Sequence, residues 1–214
     1  MPRFGRFDSA LLCLTSDVKR ALDFTISALA LLFLSPLLVA IAALVRLRLG
    51  RPVLFKQMRP GLNGEPFTLF KFRTMSRVPV DPTDGSADRD RLFPFGATLR
   101  STSLDELPGL WNVLRGEMSL VGPRPLLMHY LPLYSERQAR RHEVKPGVTG
   151  WAQINGRNST PWPERLEMDV WYVENRSFWL DLKILVRTIP IALRRSGVTQ
   201  EGQATVQYFT GSET

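Results

Sequence analysis

The chain has 214 residues, which fits one compact domain with an appendage rather than a multidomain machine. Its single cysteine, Cys13, excludes an intramolecular disulfide framework and a cysteine-rich zinc site, and two histidines leave little material for other soft-metal sites. A formal net charge of +8 indicates an anionic partner: nucleic acid, a membrane surface or a phosphorylated substrate.

The first predicted element is an uncharged run of 22 residues from Phe24 to Val45. As one helix it would reach about 33 Å, which is enough to cross the hydrocarbon core of a bilayer. Pro36, which follows Ser35, cannot donate a hydrogen bond to the Leu32 carbonyl, so a kink or break is expected there. Basic residues flank both ends of the run and give no clear orientation. A spanning helix, a re-entrant helix with both ends on the cytoplasmic side, and a cleaved signal peptide all remain open.

Next, Val53–Gln57 and Phe67–Phe72 are predicted to form a β-hairpin with a longer turn between them. Lys71 and Arg73 alternate along the second strand and therefore share a face. The two cations either protect an edge strand from further pairing or contact a ligand. Residues 78–91 are rich in proline, glycine and aspartate, and they predict a polar loop without chemistry.

A strong helical pattern begins near Ser103, with leucines and a tryptophan spaced along one face through Leu114. Ser103 is the expected N-cap, and Glu106 at the third helical position would complete a capping box. Asp105 would then interact favourably with the helix dipole. Capping therefore explains both acidic residues without catalysis, and this explanation stands beside a catalytic one.

Arg124 follows in a turn between two prolines, where it either binds phosphate bidentately or is simply solvated. Leu126–His142 is predicted to be a helix despite Pro132, and the glycines of Lys145–Asn158 form turns or approach a phosphate. Phe178–Arg195 is predicted to be a basic amphipathic helix, either at a membrane interface or packed on the core. The final segment, Ser196–Thr214, is polar and expected to be extended.

The order of these motifs from Lys19 to about Phe209 resembles the monotopic phosphoglycosyl transferases, the bacterial sugar transferases, and most closely their small, PglC-like members. The matching segments are Lys19-Arg20 with Asp23, Ser35-Pro36, Arg59-Pro60-Gly61, Lys71-Phe72-Arg73-Thr74-Met75, Ser103-Leu104-Asp105-Glu106-Leu107-Pro108, Trp111-Asn112-Val113-Leu114, Gly122-Pro123-Arg124-Pro125, Pro146-Gly147-Val148-Thr149-Gly150-Trp151 and Asn155-Gly156-Arg157.

The resemblance implies transfer of a sugar 1-phosphate from a UDP-sugar to a membrane polyprenyl phosphate, such as undecaprenyl phosphate, with release of UMP. This would be the first membrane step in assembling a glycoprotein, O-antigen or capsule, and the sugar expected from the small members is N-acetylated or bacillosamine-like. By carry-over, Asp105 is the nucleophile of a two-step reaction and Glu106 its companion. A carboxylate that attacks phosphorus forms an acyl phosphate, which can pass its group to a second phosphate.

The resemblance also implies a Mg²⁺ ion held by Asp105 and Glu106 together with substrate oxygens. Other substrate-binding candidates are Lys71, Arg73, Arg124, Arg157 and Asp169. The implied fold is α+β and mainly helical: a re-entrant membrane helix broken at Ser35-Pro36, a small β-hairpin, and interfacial amphipathic helices around a cytoplasmic active site. Residues 1–50 would form the membrane segment and 51–214 the catalytic domain, on the cytoplasmic face of the bacterial inner membrane.

Two other functions remain to be weighed against the transferase. A non-enzymatic, basic membrane-surface protein would explain the charge but not the Asp-Glu pair or the Pro-Arg-Pro turn. A glycoside hydrolase is disfavoured because adjacent acids cannot easily flank a glycosidic bond with the required separation of about 5 Å or more. Nucleic acid is not an expected partner under the transferase hypothesis.

Overall fold

The fold is α+β and mainly helical, as predicted, and the described residues form two small sheets. The computed structural model describes residues 7–76, 92–156, 160–193 and 209–211, with side chains omitted for residues 7–16 and 192–193. The helices are α1 (Phe7–Phe33), α2 (Ser35–Leu49), α3 (Pro94–Ser101), α4 (Gly109–Arg115), α5 (Glu136–Ala139), α6 (Trp151–Asn155), α7 (Trp162–Asn175) and α8 (Phe178–Leu193). The strands are β1 (Leu54–Pro60), β2 (Pro66–Phe72), β3 (Ser119–Val121) and β4 (Gly147–Thr149).

The apolar run is broken where Ser35 and Pro36 predicted a break. Helices α1 and α2 meet at an angle of 63°, and the Ser35 hydroxyl donates a hydrogen bond to the Leu32 carbonyl at 2.7 Å. In the described part of the chain, each helix by itself falls short of the length and apolar character needed to cross a membrane. The bent pair from Asp17 to Leu49 reaches both when its halves are taken together.

Polar side chains in α1 attach the apolar run to the rest of the protein. Arg20 donates to the carbonyls of Val113 and Leu114 at 2.5 and 2.6 Å, at the end of α4. Buried Asp23 accepts a hydrogen bond from the Leu120 amide at 3.1 Å. These contacts fix the orientation of α1, and with it that of the apolar run, relative to α4 and β3.

The predicted hairpin is confirmed as the antiparallel pair of β1 and β2. Asn112 of α4, which is fully buried, fastens β2 to that helix. Its amide nitrogen donates to the Thr68 carbonyl at 2.7 Å, and its oxygen accepts from the Phe70 amide at 3.2 Å. Lys71 follows Phe70 in the chain, so these hydrogen bonds also fix its position beside the turn that precedes α4.

The second sheet pairs β3 with β4 in parallel and was not predicted. A β-carbon on Gly122 would lie 2.4 Å from the Lys145 carbonyl oxygen, and one on Gly147 would lie 2.1 Å from the Gly122 nitrogen. The glycines therefore allow the two backbones to pass closer than any other residue would permit. This crossing brings the Pro-Arg-Pro turn against the glycine-rich segment.

Two helix predictions need correction. Leu126–His142 is not one helix: a 3-10 turn over Met128–Leu133 is followed by the single turn α5 and another 3-10 turn over Arg140–His142. Pro132 lies in the first turn, and a proline cannot donate the next backbone hydrogen bond. The helix predicted from Ser103 also begins later, at Gly109, after a 3-10 turn over Leu104–Glu106.

Helix α8 is apolar on two sides. Ile184 is fully buried and belongs to the main core, whereas five large apolar side chains of the helix are exposed: Phe178, Trp179, Leu182, Val186 and Ile189. The helix thus packs on the core and also presents an uncovered apolar surface. The predicted loop at 78–91 and the tail from Ser196 lie outside the described residues, apart from 209–211.

Candidate functional site

Asp105 and Glu106 lie in a tight turn, and the predicted capping box is wrong. Ser103 has the left-handed backbone conformation, with φ of 57°, and its side chain caps nothing. The Glu106 carboxylate instead forms ion pairs with two cations from other elements, Lys71 and Arg124. Capping therefore does not account for the acidic pair.

Glu106 is clamped between Lys71 of β2 and Arg124 of the Pro-Arg-Pro turn. Lys71 Nζ donates to Oε1 at 2.7 Å, while the Arg124 Nη2 and Nη1 atoms donate to Oε1 and Oε2 at 2.5 and 3.1 Å. Burial by itself would raise the pKa of Glu106, but Arg124 and Lys71 outweigh it and hold the pKa well below its ordinary value. Glu106 is therefore a permanent anion that fixes the orientation of both cations.

Asp105 is in a different electrostatic state, although it is the next residue. Its carboxylate is buried, with 8% of the residue exposed. Burial and, next, the negative charge of Glu106 raise the pKa of Asp105 to about 6. Adjacent carboxylates whose pKa values are pushed apart in this way are typical of groups with separate chemical roles.

The raised pKa predicts that Asp105 destabilises the folded protein at neutral pH. The folded state binds more protons than the unfolded state between about pH 4 and 6, so the free energy of unfolding falls as the pH rises through that window. Asp105→Asn should raise the free energy of unfolding at pH 7 by on the order of 1 to 3 kcal/mol. Thermal unfolding with EDTA should show the full gain at pH 7 and about a third of it at pH 4.5. Equal or lower stability of the variant at pH 7 would contradict it.

Arg73 is directed away from the acidic pair. Its guanidinium donates to the carbonyls of Leu49, Gly50 and Arg51, at 2.9 Å for Gly50 and 3.3 Å for Arg51. Arg73 therefore caps the end of α2 and links the apolar run to the hairpin. The alternation of Lys71 and Arg73 predicted a shared face, whereas the strand ends at Phe72 and the two cations serve different neighbours.

Asp169 is buried, and it is connected to the acidic site through another residue, Arg141. It forms a buried ion pair with Arg141, whose Nε and Nη2 atoms lie 3.1 and 2.7 Å from Oδ2. The same Nη2 donates to the backbone carbonyl of Arg124 at 2.7 Å. Asp169 thus orients Arg141, and Arg141 fixes the backbone of the turn that carries Arg124.

Sequence reasoning missed Arg141, which is among the largest fully buried side chains of the described chain. Its neighbours in sequence, Arg137 and Arg140, form exposed ion pairs, so the run of arginines is typical of a solvated face. Arg157, a predicted substrate-binding residue, lies outside the described residues. Ser35 and Pro36 form the break between α1 and α2 and are not part of the acidic site.

Lys71, Glu106 and Arg124 line a small pocket between β2, the Pro-Arg-Pro turn and the start of β4. Its other lining residues are Arg59, Leu69, Phe70, Gly109, Met118, Pro125, Leu126, Gly147 and Val148. Apolar side chains thus surround a few charged groups, and the low polarity of such walls strengthens electrostatic interactions with a ligand.

The donor set fits a hard cation that shares its ligands with a substrate. The described residues contain no group of three or more acidic, histidine or cysteine side chains that could hold a metal alone. Mg²⁺ commonly binds one or two carboxylates together with substrate phosphates. Since Glu106 is occupied by Lys71 and Arg124, Asp105 is the carboxylate better able to contribute an oxygen.

Comparison with known proteins identifies similar sequences along nearly the whole chain. A family model described as bacterial sugar transferase matches residues 14–195. The chain is 54% identical over 195 residues to the uncharacterized sugar transferase EpsL of Bacillus subtilis, covering 91% of this chain and 96% of that protein. It is 42% identical over 199 residues to the UDP-glucose:undecaprenyl-phosphate glucose-1-phosphate transferase of Klebsiella pneumoniae, covering 88% of this chain.

The match to the Klebsiella protein spans 43% of that longer chain. The Caulobacter vibrioides protein of the same name is 43% identical over 185 residues, covering 82% of this chain and 69% of that protein. The sequence similarity in each case includes the segment that carries the acidic pair, since it extends over more than four fifths of this chain.

Proposed function

The chain belongs to the bacterial sugar transferase family, and on that premise we propose that it transfers a sugar 1-phosphate from a UDP-sugar to a polyprenyl phosphate, releasing UMP. The observation that carries this proposal is the clamped acidic pair: Glu106 held as an anion by Lys71 and Arg124, with Asp105 buried beside it. Relatives named as glucose-1-phosphate transferases that use UDP-glucose and undecaprenyl phosphate support the substrate classes. UDP-glucose therefore joins the N-acetylated sugars as a first substrate to test.

The proposed reaction has two steps at one phosphorus atom. An Asp105 carboxylate oxygen attacks the phosphorus next to the sugar, the bond between the two phosphates breaks, and UMP leaves with the electron pair. The aspartyl phospho-sugar that results is an acyl phosphate. A phosphate oxygen of the polyprenyl phosphate then attacks the same phosphorus, and the Asp105 carboxylate is regenerated.

The site's cations reduce the repulsion between the attacking carboxylate and the diphosphate. Arg124 keeps 45% of its side chain exposed while it is bonded to Glu106, so its guanidinium can also reach a substrate phosphate. Lys71 and Arg124 are fixed before the substrate arrives, and preorganised charges stabilise a transition state without the cost of reorientation. Glu106 in this proposal is a positioning anion whose charge holds the two cations.

A Mg²⁺ ion bound to Asp105 and substrate oxygens, with Glu106 close by, would neutralise the diphosphate charge and orient its phosphorus. The family resemblance and the sparse carboxylate donor set support this part of the proposal.

The reaction must occur at a membrane surface, because the proposed acceptor is a lipid and the donor is soluble in water. The bend between α1 and α2 supports a re-entrant segment over residues 1–50, with both ends on the cytoplasmic face of the bacterial inner membrane. The exposed apolar side chains of α8 suit the same interface. Residues 51–214 would then form the catalytic domain, within a pathway of glycoconjugate assembly.

Purified protein tests the function directly. With Mg²⁺, undecaprenyl phosphate and a panel of UDP-sugars including UDP-glucose, we expect UMP release that requires both the metal and the lipid for multiple turnovers. Absence of UMP with every donor, together with retained binding to anionic vesicles, would favour the non-enzymatic membrane-surface protein instead.

The proposed topology predicts that both ends of the apolar run face the cytoplasm. Cys13 is the chain's one cysteine, so Cys13→Ser gives a background for single cysteines at Asp17 and Leu62. A membrane-impermeant thiol reagent should label both positions in inverted vesicles and neither in intact cells. Labelling of the two positions from opposite sides would instead indicate a spanning helix.

A further inference from the structure

Arg59, at the end of β1, is a charged residue of the pocket for which the fold offers few partners. Its Nη2 donates to the Gln57 side-chain oxygen at 2.6 Å, and its Nη1 makes a long contact of 3.3 Å with the Pro125 carbonyl. The Nε atom is buried and has no hydrogen-bond partner among the described residues. A buried N–H group normally has a hydrogen-bond partner, since leaving it unpaired is costly.

Arg59 also lacks a counterion in the described part of the chain, where the ion pairs involve other cations. Glu106 is the nearby acid, but Lys71 and Arg124 already use its two oxygens. Burial and the charge of Arg124 lower the pKa of Arg59 to about 10. The residue stays cationic at neutral pH, and the pocket has positive charge that its own carboxylate does not neutralise.

The surroundings of Arg59 strengthen any interaction with an anion. Arg59 shares the pocket with Arg124, and apolar side chains line much of the remaining wall: Leu69, Met118, Leu126 and Val148. A phosphate in this pocket would be partly removed from water, where its attraction to a guanidinium is stronger.

We propose that Arg59 is a phosphate-binding residue of this pocket, holding a phosphate group beside Arg124. The proposal rests on the proposed function, which supplies two sources of such a group: the diphosphate of the UDP-sugar and the phosphate of the polyprenyl acceptor. The bidentate geometry of a guanidinium suits either source. Arg124 is oriented by Glu106, whereas the Nη1 and Nη2 atoms of Arg59 each make one hydrogen bond within the described residues and carry a second N–H that a ligand can accept from.

The experiment compares Arg59→Gln with Arg59→Lys and with a matched control, Lys56→Gln, which removes an exposed cation from the same strand. Two arms separate the two sources of phosphate. UDP binding in the presence of Mg²⁺ is measured by isothermal titration calorimetry, and the KM for undecaprenyl phosphate is measured by UMP release. Circular dichroism and thermal unfolding verify that each variant is folded.

We expect Arg59→Gln to weaken one or both interactions at least tenfold, Arg59→Lys to recover part of the loss, and Lys56→Gln to match wild type within twofold. A raised Kd for UDP assigns Arg59 to the diphosphate, and a raised KM for the lipid alone assigns it to the acceptor. Values within twofold of wild type in both arms for folded Arg59→Gln would overturn the proposal and leave Arg59 a link between the hairpin and the Pro-Arg-Pro turn.

Should Arg59→Gln not fold, Arg59→Lys provides the test, because a lysine keeps the charge but loses the planar fork. A three- to tenfold loss in either arm is then expected, and unchanged values in both would overturn the proposal. The UDP titration does not require turnover. A wild-type protein that binds UDP but releases no UMP would therefore contradict the proposed function while the role of Arg59 stays measurable.

Discussion

Asp105→Asn is expected to lower kcat for UMP release by roughly 10⁶-fold, the order of the loss seen when a covalent nucleophile is removed. An asparagine amide has nearly the same size and shape as the carboxylate but cannot form an acyl phosphate. Asp105 is buried in a turn whose neighbours are fixed by other contacts, so the substitution should leave the fold intact. The measurement is steady-state UMP release with Mg²⁺, UDP-sugar and undecaprenyl phosphate.

A pre-steady-state experiment without the lipid acceptor separates this nucleophilic role from simple binding. Wild type should release close to one UMP per protein and retain a labelled sugar phosphate, while Asp105→Asn should do neither. Glu164→Gln is a suitable control, because it removes an exposed acid from the first turn of α7. A burst of UMP from Asp105→Asn equal to that of wild type would contradict the covalent mechanism.

The second large effect is expected from Arg141→Met, which breaks a buried ion pair. Arg141 and Asp169 have side chains that are 1% and 4% exposed, and removing one partner leaves a buried charge uncompensated. Such changes cost about 3 to 5 kcal/mol, which for a chain of this size corresponds to a Tm lower by about 6 to 20 °C. Thermal unfolding measures it, with Arg137→Gln as a control, because exposed ion pairs contribute about 1 kcal/mol or less.

The double variant Arg141→Met with Asp169→Leu distinguishes stability from positioning. Replacing both charges by apolar groups removes the uncompensated carboxylate, so much of the lost Tm should return. The Arg124 carbonyl would still lack its donor, and kcat should stay at least tenfold below that of wild type. Full recovery of kcat together with Tm would indicate that the pair only stabilises the fold and does not position Arg124.

Structural features that depend on residues close together in the chain could be predicted from the sequence. The hairpin followed from two apolar strands around a turn, and the bend near Pro36 followed from a missing backbone donor. The end of α4 at Gly116 follows the same logic, since that glycine adopts the left-handed conformation with φ of 81°. The helices predicted from Ser103 and from Leu126 are both interrupted in the structure. Pro108 directly precedes α4, and Pro132 lies in a 3-10 turn. The periodic apolar pattern predicted continuous helices because it does not register such interruptions.

The ordered motifs, with Asp105 and Glu106 among them, were sufficient to identify the family. The sequence alone could not separate a capping acid from a clamped one, because a capping box is local while the partners of Glu106 lie 35 and 18 residues away. Only the tertiary structure placed Lys71 and Arg124 on Glu106, directed Arg73 to the end of α2, and connected Asp169 to Arg124 through Arg141. Each of these assignments depends on which charged groups come into contact in the low-dielectric interior, where their interactions are strong. The tertiary fold determines those contacts, and the spacing of residues along the chain does not.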